Sequence, residues 1–252
     1  ILELEHGITD AELRERIDET LAANDCSEAY VRLSITRGVQ PGKLTPDEAV
    51  NPTVVVIVKP LSRGGSDGQP VYEGPATLQT VKTKRVPDSA IPARAKTHNY
   101  LNEILARLEL RVSDADEAIM VDADGHVAEG ATSNLFFVRD NALRTPRLDG
   151  PVLPGITRGV VLDIADKEGI PVEEGTYTPD DIRNADEVFV TNSTWEIRPV
   201  DVVDGISLGD DPAGATAGDE DTECDPLATA GPVTTLLARL FAARLDREYY
   251  SR

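Results

Sequence analysis

The sequence is short of several things, and each shortage narrows what the chain can be. Only two cysteines, Cys26 and Cys224, occur among 252 residues. Neither has a metal-ligand spacing; one falls beside a strand and the other in a loop, so no disulfide is expected. Histidine is confined to His6, His98 and His126, scattered along the chain, and no metal site is expected. No apolar run approaches the length of a membrane span, and no charged-then-apolar leader is visible. A soluble, cytoplasmic protein is the expectation. Basic residues are also scarce: 25 against 45 acidic, a net charge of −20, with six lysines among them. Nucleic acid and anionic membrane need clustered lysine and arginine, so neither is an expected partner.

The acid is spread evenly, as in Asp114-Ala115-Asp116-Glu117 and Asp180-Asp181. Such a coat resembles that of proteins from salt-loving organisms, where charge repulsion is screened within roughly 3 Å at 1 M salt. An apolar fraction of 40% still supplies one large core or two smaller ones.

Thr9 with Glu12 three residues on is a capping-box pattern for a helix over Asp10–Asn24. Strands are predicted at Ala29–Thr36, at the apolar run Thr53–Val58, which suits a buried sheet position, and near Ala76–Val81. Arg63–Gly68 reads as a turn. The proline-marked run 87–92 reads as a linker between a first domain, 1–86, and a second, 93–252. The second contains a helix after Asn99, a capping candidate, with Leu101, Ile104, Leu105 and Leu108 on one packed face. Hairpins follow at Glu117–Ala128 and Asn134–Arg144, the first turning through Asp122-Ala123-Asp124-Gly125, which lacks the remaining ligands of a calcium loop. Then come a helix over Gly155–Lys167 stopped by Gly169 and Pro171, a strand at Glu187–Thr191, and a final amphipathic helix over 232–248. Residues 209–231, rich in Asp, Glu, Gly, Ala and Thr, read as an acidic mobile loop.

Three stretches carry chemistry. Ala95-Lys96-Thr97-His98-Asn99-Tyr100-Leu101 places a lysine between an extended run and a helix start, where an amine has a fixed position for attack on a carbonyl. Glu129-Gly130-Ala131-Thr132-Ser133-Asn134 and Leu153-Pro154-Gly155-Ile156-Thr157-Arg158 follow. In order and spacing, from about Tyr30 to the C-terminus, these resemble the fold-type IV enzymes that use pyridoxal 5'-phosphate (PLP). That family contains branched-chain and D-amino-acid aminotransferases and 4-amino-4-deoxychorismate lyase. The resemblance implies a two-domain, mixed α/β fold of the D-amino-acid aminotransferase kind, a homodimer, and amino-acid and 2-oxo-acid substrates. It also implies a stretch before the first helix, with an arginine for the cofactor phosphate. Nothing here matches that stretch, so an N-terminal portion is expected to be missing.

Residue by residue, Lys96 matches the lysine that forms a Schiff base with the cofactor; Lys82 and Lys84 lack its context. Glu129 matches the acid that keeps the pyridine nitrogen protonated. Tyr100 resembles the tyrosine bonded to the ring oxygen, although a packed aromatic at a helix start reads the same way. Leu153 resembles the residue against the ring face. Ile156 and Thr157 open a helix, where free N–H groups and the dipole favour a phosphate. Ser193 and Thr194 resemble a second loop at the phosphate and the substrate carboxylate. Tyr30 and Arg32, alternating outward on one strand face, match a substrate-binding pair of the branched-chain enzymes. Ile35-Thr36-Arg37-Gly38 and Asn192-Ser193 followed by Arg198-Pro199-Val200 lean toward the D-amino-acid or lyase branches, and Trp195 either shapes the substrate pocket or packs. The expected activity is amino-group transfer, with the lyase reaction as the alternative.

Overall fold

Thr9 begins the first helix as its sequence dictates. Its hydroxyl oxygen accepts the Glu12 N–H at 3.2 Å, and the Glu12 carboxylate accepts the Thr9 N–H at 2.7 Å, a complete capping box at α1 (Asp10–Ala23). The computed structural model describes residues 1–26, 28–40, 42, 44–45, 51–61, 71–72, 74–208, 227 and 229–250. The turn at Arg63–Gly68 and most of the loop at 209–231 lie outside these. The chain forms two compact units, Ile1–Val71 and Tyr72–Arg252.

In the first unit β1 (Ala29–Thr36) pairs antiparallel with β2 (Thr53–Pro60), from Ala29 opposite Pro60 to Thr36 opposite Thr53. The apolar run of β2 suggests a buried strand, yet none of its residues is buried. Among the described residues β2 has only β1 beside it, and a two-stranded ladder leaves residues open on its faces.

The second unit is built on a nine-stranded mixed sheet. In chain order it contains β3 (Ala76–Thr80), α2 (Leu101–Glu109), β4 (Glu117–Val121), β5 (Val127–Gly130), β6 (Asn134–Arg139), β7 (Ala142–Pro146) and α3 (Ile156–Lys167). There follow β8 (Val172–Gly175), α4 (Pro179–Arg183), β9 (Glu187–Asn192), β10 (Glu196–Val203), β11 (Ile206–Ser207) and α5 (Pro232–Leu245). The strand order is β5-β4-β3-β10-β9-β6-β7-β8, with β11 beside β10. The sequence places β3 in the first domain. Instead it lies between β4 and β10, parallel to both, with Ala76 and Leu78 in the core. The run 87–92 therefore falls inside the second unit and is not a linker between the two.

Alternation along the central strands separates two cores. Leu135 and Phe137 of β6, with Val188 and Val190 of β9, enter one; Phe136, Val138 and Phe189 enter the other, beneath α3 and α5. The β6–β7 turn has Asp140 and Asn141 at φ 53° and 58°, the left-handed pair that suits a tight hairpin. Glu187 at the start of β9 accepts the Val233 and Thr234 N–H groups at 3.0 and 2.7 Å, placing a carboxylate on the N-terminus of α5. At the β4–β5 turn, read from the sequence as a hairpin turn with no metal site, Asp122, Asp124 and His126 bring ligand-capable atoms within 4.8 Å of one another. Among the described residues no helix is long and apolar enough to cross a membrane.

Candidate active site

The sheet of the second unit carries a cavity of about 910 Å³. Its walls come from the segment after β3, the Lys96 loop and the start of α2, the end of β5 with the turn to β6, the start of α3, and the end of β9.

Glu129, the penultimate residue of β5, is 5% exposed. One of its oxygens accepts from Arg85 Nε at 2.9 Å and pairs with Nη2 at 2.8 Å. The other accepts from the Leu153 N–H at 2.9 Å and Asn134 Nδ2 at 3.4 Å. Burial pushes this carboxyl above the usual carboxylate range, opposed chiefly by the charge of Arg85. Arg85 also reaches Glu103 on α2, Nη1 to Oε1 at 2.5 Å. Asn102 fixes the arginine's backbone, accepting from the Val86 N–H at 3.1 Å and donating to the Lys84 carbonyl at 2.9 Å. The second Glu103 oxygen is buried without a hydrogen-bond partner.

The turn Gly130–Ser133 is tied down from beneath by Glu117, a fully buried glutamate on β4. Its Oε2 accepts the Thr132 N–H at 3.0 Å, the Thr132 hydroxyl, and the Ser133 hydroxyl at 3.2 Å; Arg107 lies 3.3 Å from its Oε1. The Gly130 N–H closes the turn onto the Ser133 carbonyl at 2.7 Å. Across the cavity Gly155 caps α3 without a side-chain hydrogen bond, so the helix's first-turn N–H groups meet no capping side chain. Ile156 projects outward, 85% exposed, whereas Thr157 is buried. Thr191, beside Asn134 in the sheet, lines the cavity with a buried hydroxyl that has no partner.

Lys96, Tyr100, Glu129, Leu153, Ile156, Thr157 and Ser193 thus line one cavity; Lys82 and Lys84 are not among its lining residues. Thr194 does not line it either. Its N–H and hydroxyl both donate to Asn192 Oδ1, at 3.0 and 3.1 Å, closing a local turn. Tyr30 and Arg32 belong to the first unit, both exposed on β1. Three local expectations fail. Tyr100, not Asn99, is the cap residue of α2, and it makes no side-chain capping bond. Leu101, Ile104, Leu105 and Leu108 are 41–63% exposed, the first three lining the cavity, because α2 reaches the core through Ala106, with Leu110 just beyond its end. Lys96 is itself exposed, in a loop rather than held by a packed helix. Sequence reasoning missed Arg85, Glu103, Glu117 and Thr191. Asn134, quoted in the Glu129 pattern, was the one available signal for the residues around the acid.

The sheet and its connections are those of fold-type IV enzymes, a mixed α/β class. The family model for amino-transferase class IV matches residues 1–203, and the chain belongs to that family. A Methanocaldococcus jannaschii protein provisionally named a branched-chain-amino-acid aminotransferase is 36% identical over 208 residues, 82% of this chain and 70% of the relative. D-alanine aminotransferase of Listeria monocytogenes is 34% identical over 240 residues, 94% of this chain and 74% of its own length. The chain spans 36% of two Arabidopsis thaliana branched-chain-amino-acid aminotransferase-like proteins. Among solved structures, the branched-chain aminotransferase of Thermoproteus uzoniensis with norvaline superposes with a TM-score of 0.80 at 30% identity, over 96% of this chain and 74% of that one. A second branched-chain amino acid aminotransferase, solved with pyridoxamine 5'-phosphate, gives 0.78 at 31%, over 93% and 71%. A Legionella pneumophila protein provisionally named 4-amino-4-deoxychorismate lyase gives 0.79 at 24%, over 96% and 80%, a likeness of fold alone.

Proposed function

We propose that this chain is the cofactor-holding part of a PLP-dependent aminotransferase that moves an amino group between a branched-chain-like amino acid and a 2-oxo acid. The observation that carries the reading is that Lys96, buried Glu129 and the uncapped N-terminus of α3 line one cavity. Those donors and acceptors fit PLP. An acid can meet the ring nitrogen, free helix N–H groups and the Thr157 side chain can meet the phosphate, and the unpartnered Thr191 hydroxyl awaits a ligand atom. When bound, the cofactor supplies an aldehyde for amine exchange and a ring that withdraws electrons from the substrate's α carbon. Lys96 would hold the cofactor and would move the proton at that carbon. Glu129 would keep positive charge on the ring nitrogen, Leu153 would back the ring, Tyr100 would serve the ring oxygen, and Ile156, Thr157 and Ser193 would serve the phosphate side. Tyr30 and Arg32, on β1 of the first unit, are the substrate candidates that the family resemblance implies. The working form is a homodimer, as the family resemblance implies.

The lyase reading is weaker. Arg198, one of the residues that leans toward it in sequence, is buried between the rings of Tyr72 and Trp195, 4.9 and 5.2 Å away, and pairs with Asp116 at 3.1 Å. Neither Arg198 nor Trp195 is among the residues lining the large cavity. The deciding experiment mixes PLP-loaded protein with one amino acid and no oxo acid. Accumulation of the pyridoxamine form supports transfer. Pyruvate release from aminodeoxychorismate, with no half-reaction on any amino acid, would replace transfer with the lyase reaction.

A further inference from the structure

Arg85 sits between two carboxylates. Its Nε and Nη2 serve Glu129, at 2.9 and 2.8 Å, while Nη1 serves Glu103 at 2.5 Å. All three side chains line the cavity and are largely withdrawn from water, 13% exposed for Arg85, 18% for Glu103 and 6% for Glu129. Arg85 with Glu129 alone would be a neutral pair, presenting little charge to the cavity. Adding Glu103 leaves the trio one charge negative, in surroundings where water screens poorly.

Glu103 accepts this place at a cost. Its Oε2 is buried with no partner, a desolvation loss that a leucine or alanine there would not incur. Packing gives no account of an acid there, since Ala106 and Leu110 carry the contact of this helix region with the core. Unpaired buried acid beside a shared cation is the kind of local conflict found where function sets the residue.

We propose that Glu103 is a positioning residue that acts on Glu129 through Arg85, by holding part of the guanidinium and so leaving negative charge on Glu129 for the cavity. Other groups around Glu129 do not duplicate this. The Leu153 N–H and Asn134 amide on its far oxygen are neutral. Arg107, which also lines the cavity, is engaged by Glu117, and Lys96 and Arg94 lie on the loop before α2. Burial and the Glu103 charge both raise the Glu129 carboxyl, and Arg85 lowers it.

The use of that charge for a cofactor ring rests on the reading above, whereas the effect of Glu103 on Glu129 can be measured without cofactor. The experiment follows the Glu129 carboxyl by carbon-13 NMR in the cofactor-free full chain, against pH, for wild type, Glu103→Gln and Glu103→Asp. Glutamine keeps an oxygen for Arg85 but removes the charge. The Glu129 midpoint should therefore fall in Glu103→Gln and return toward wild type in Glu103→Asp. Glu103→Ala, which cannot hold Arg85 at all, should shift it in the same direction as Gln and stands in should Gln fail to fold. An unchanged Glu129 midpoint in Glu103→Gln, with only the thermal midpoint moving, would reduce Glu103 to a structural residue; that result or a raised Glu129 midpoint would overturn the proposal. Failure of PLP to bind would leave this titration intact, so the two readings fail separately.

Discussion

Gly155 and Asn134 meet so closely that a Cβ on the glycine would overlap Asn134 Oδ1. The glycine's backbone, φ −62° and ψ 142°, is open to any residue, so the restriction is one of space alone. Asn134 in turn donates to the Leu153 carbonyl at 2.8 Å and to Glu129 at 3.4 Å. One contact therefore ties the start of α3, the Leu153 segment and the buried acid together.

Gly155→Ala should push Asn134 out of place and disturb both sides of the cavity while leaving the fold intact. PLP should bind at least about tenfold more weakly, equivalent to roughly 1.4 kcal/mol. Equilibrium binding followed by absorbance checks this, and unchanged affinity would show that Asn134 moves aside without consequence.

Much of this arrangement was legible in the sequence. Thr9 with Glu12, the strands β6 and β9, and the hairpin between β6 and β7 are local patterns, and local physics decides them. The cavity residues quoted from three separate stretches also come together. What could not be read depends on distant partners. β3 is a short strand whose sequence does not say that it will lie between β4 and β10. The apolar stripe of α2 has the period of a packed face, yet Leu101, Ile104 and Leu105 line the cavity instead of the core, since periodicity gives a face and not what it meets. Arg85, Glu103 and Glu117 belong to no continuous motif; only folding brings them beside Glu129 or the turn after it.

Glu117 should matter for stability more than its lack of direct chemistry suggests. Glu117→Ala would leave the Thr132 N–H and two hydroxyls without their acceptor, each worth roughly 1–3 kcal/mol when buried and unpaired. The hydroxyls can turn to other acceptors, so a net loss of about 3 kcal/mol is expected, seen as a thermal midpoint lower by roughly 6–12 °C. A loss under about 1 kcal/mol would mean that the Gly130–Ser133 turn holds itself.

Acid should destabilise the fold through several carboxylates held below their ordinary range. Glu109 is held down by the Thr83 hydroxyl, then by the Lys82 and Thr83 N–H groups, at 2.6, 2.8 and 2.8 Å; Asp181 is held down by the N–H and hydroxyl of Thr178. A carboxyl with a lower value folded than unfolded contributes stability above its unfolded value, about 4, and that contribution is lost as pH falls through the folded value. Glu129 has the opposite sign: its raised value favours folding at low pH and loses that contribution as pH rises through it. Urea midpoints should therefore fall below about pH 4, and the fall should be shallower in Glu109→Gln. Parallel profiles for the two proteins would remove Glu109 from the account.

The net charge of −20 predicts a strong response to salt. The thermal midpoint should climb from millimolar to molar potassium chloride as repulsion is screened, with sodium chloride acting alike if screening dominates. A flat response would end the reading of the acidic coat as an adaptation to salt and leave the active-site account untouched.

The central claim is that Lys96 holds the cofactor. PLP is added to the protein, the adduct is reduced with borohydride, and the labelled peptide is identified by mass spectrometry. The account predicts a yellow protein labelled on the peptide containing Lys96, and no covalent label in a folded Lys96→Ala variant. Label on Lys82 or Lys84, or undiminished labelling of Lys96→Ala, would contradict it.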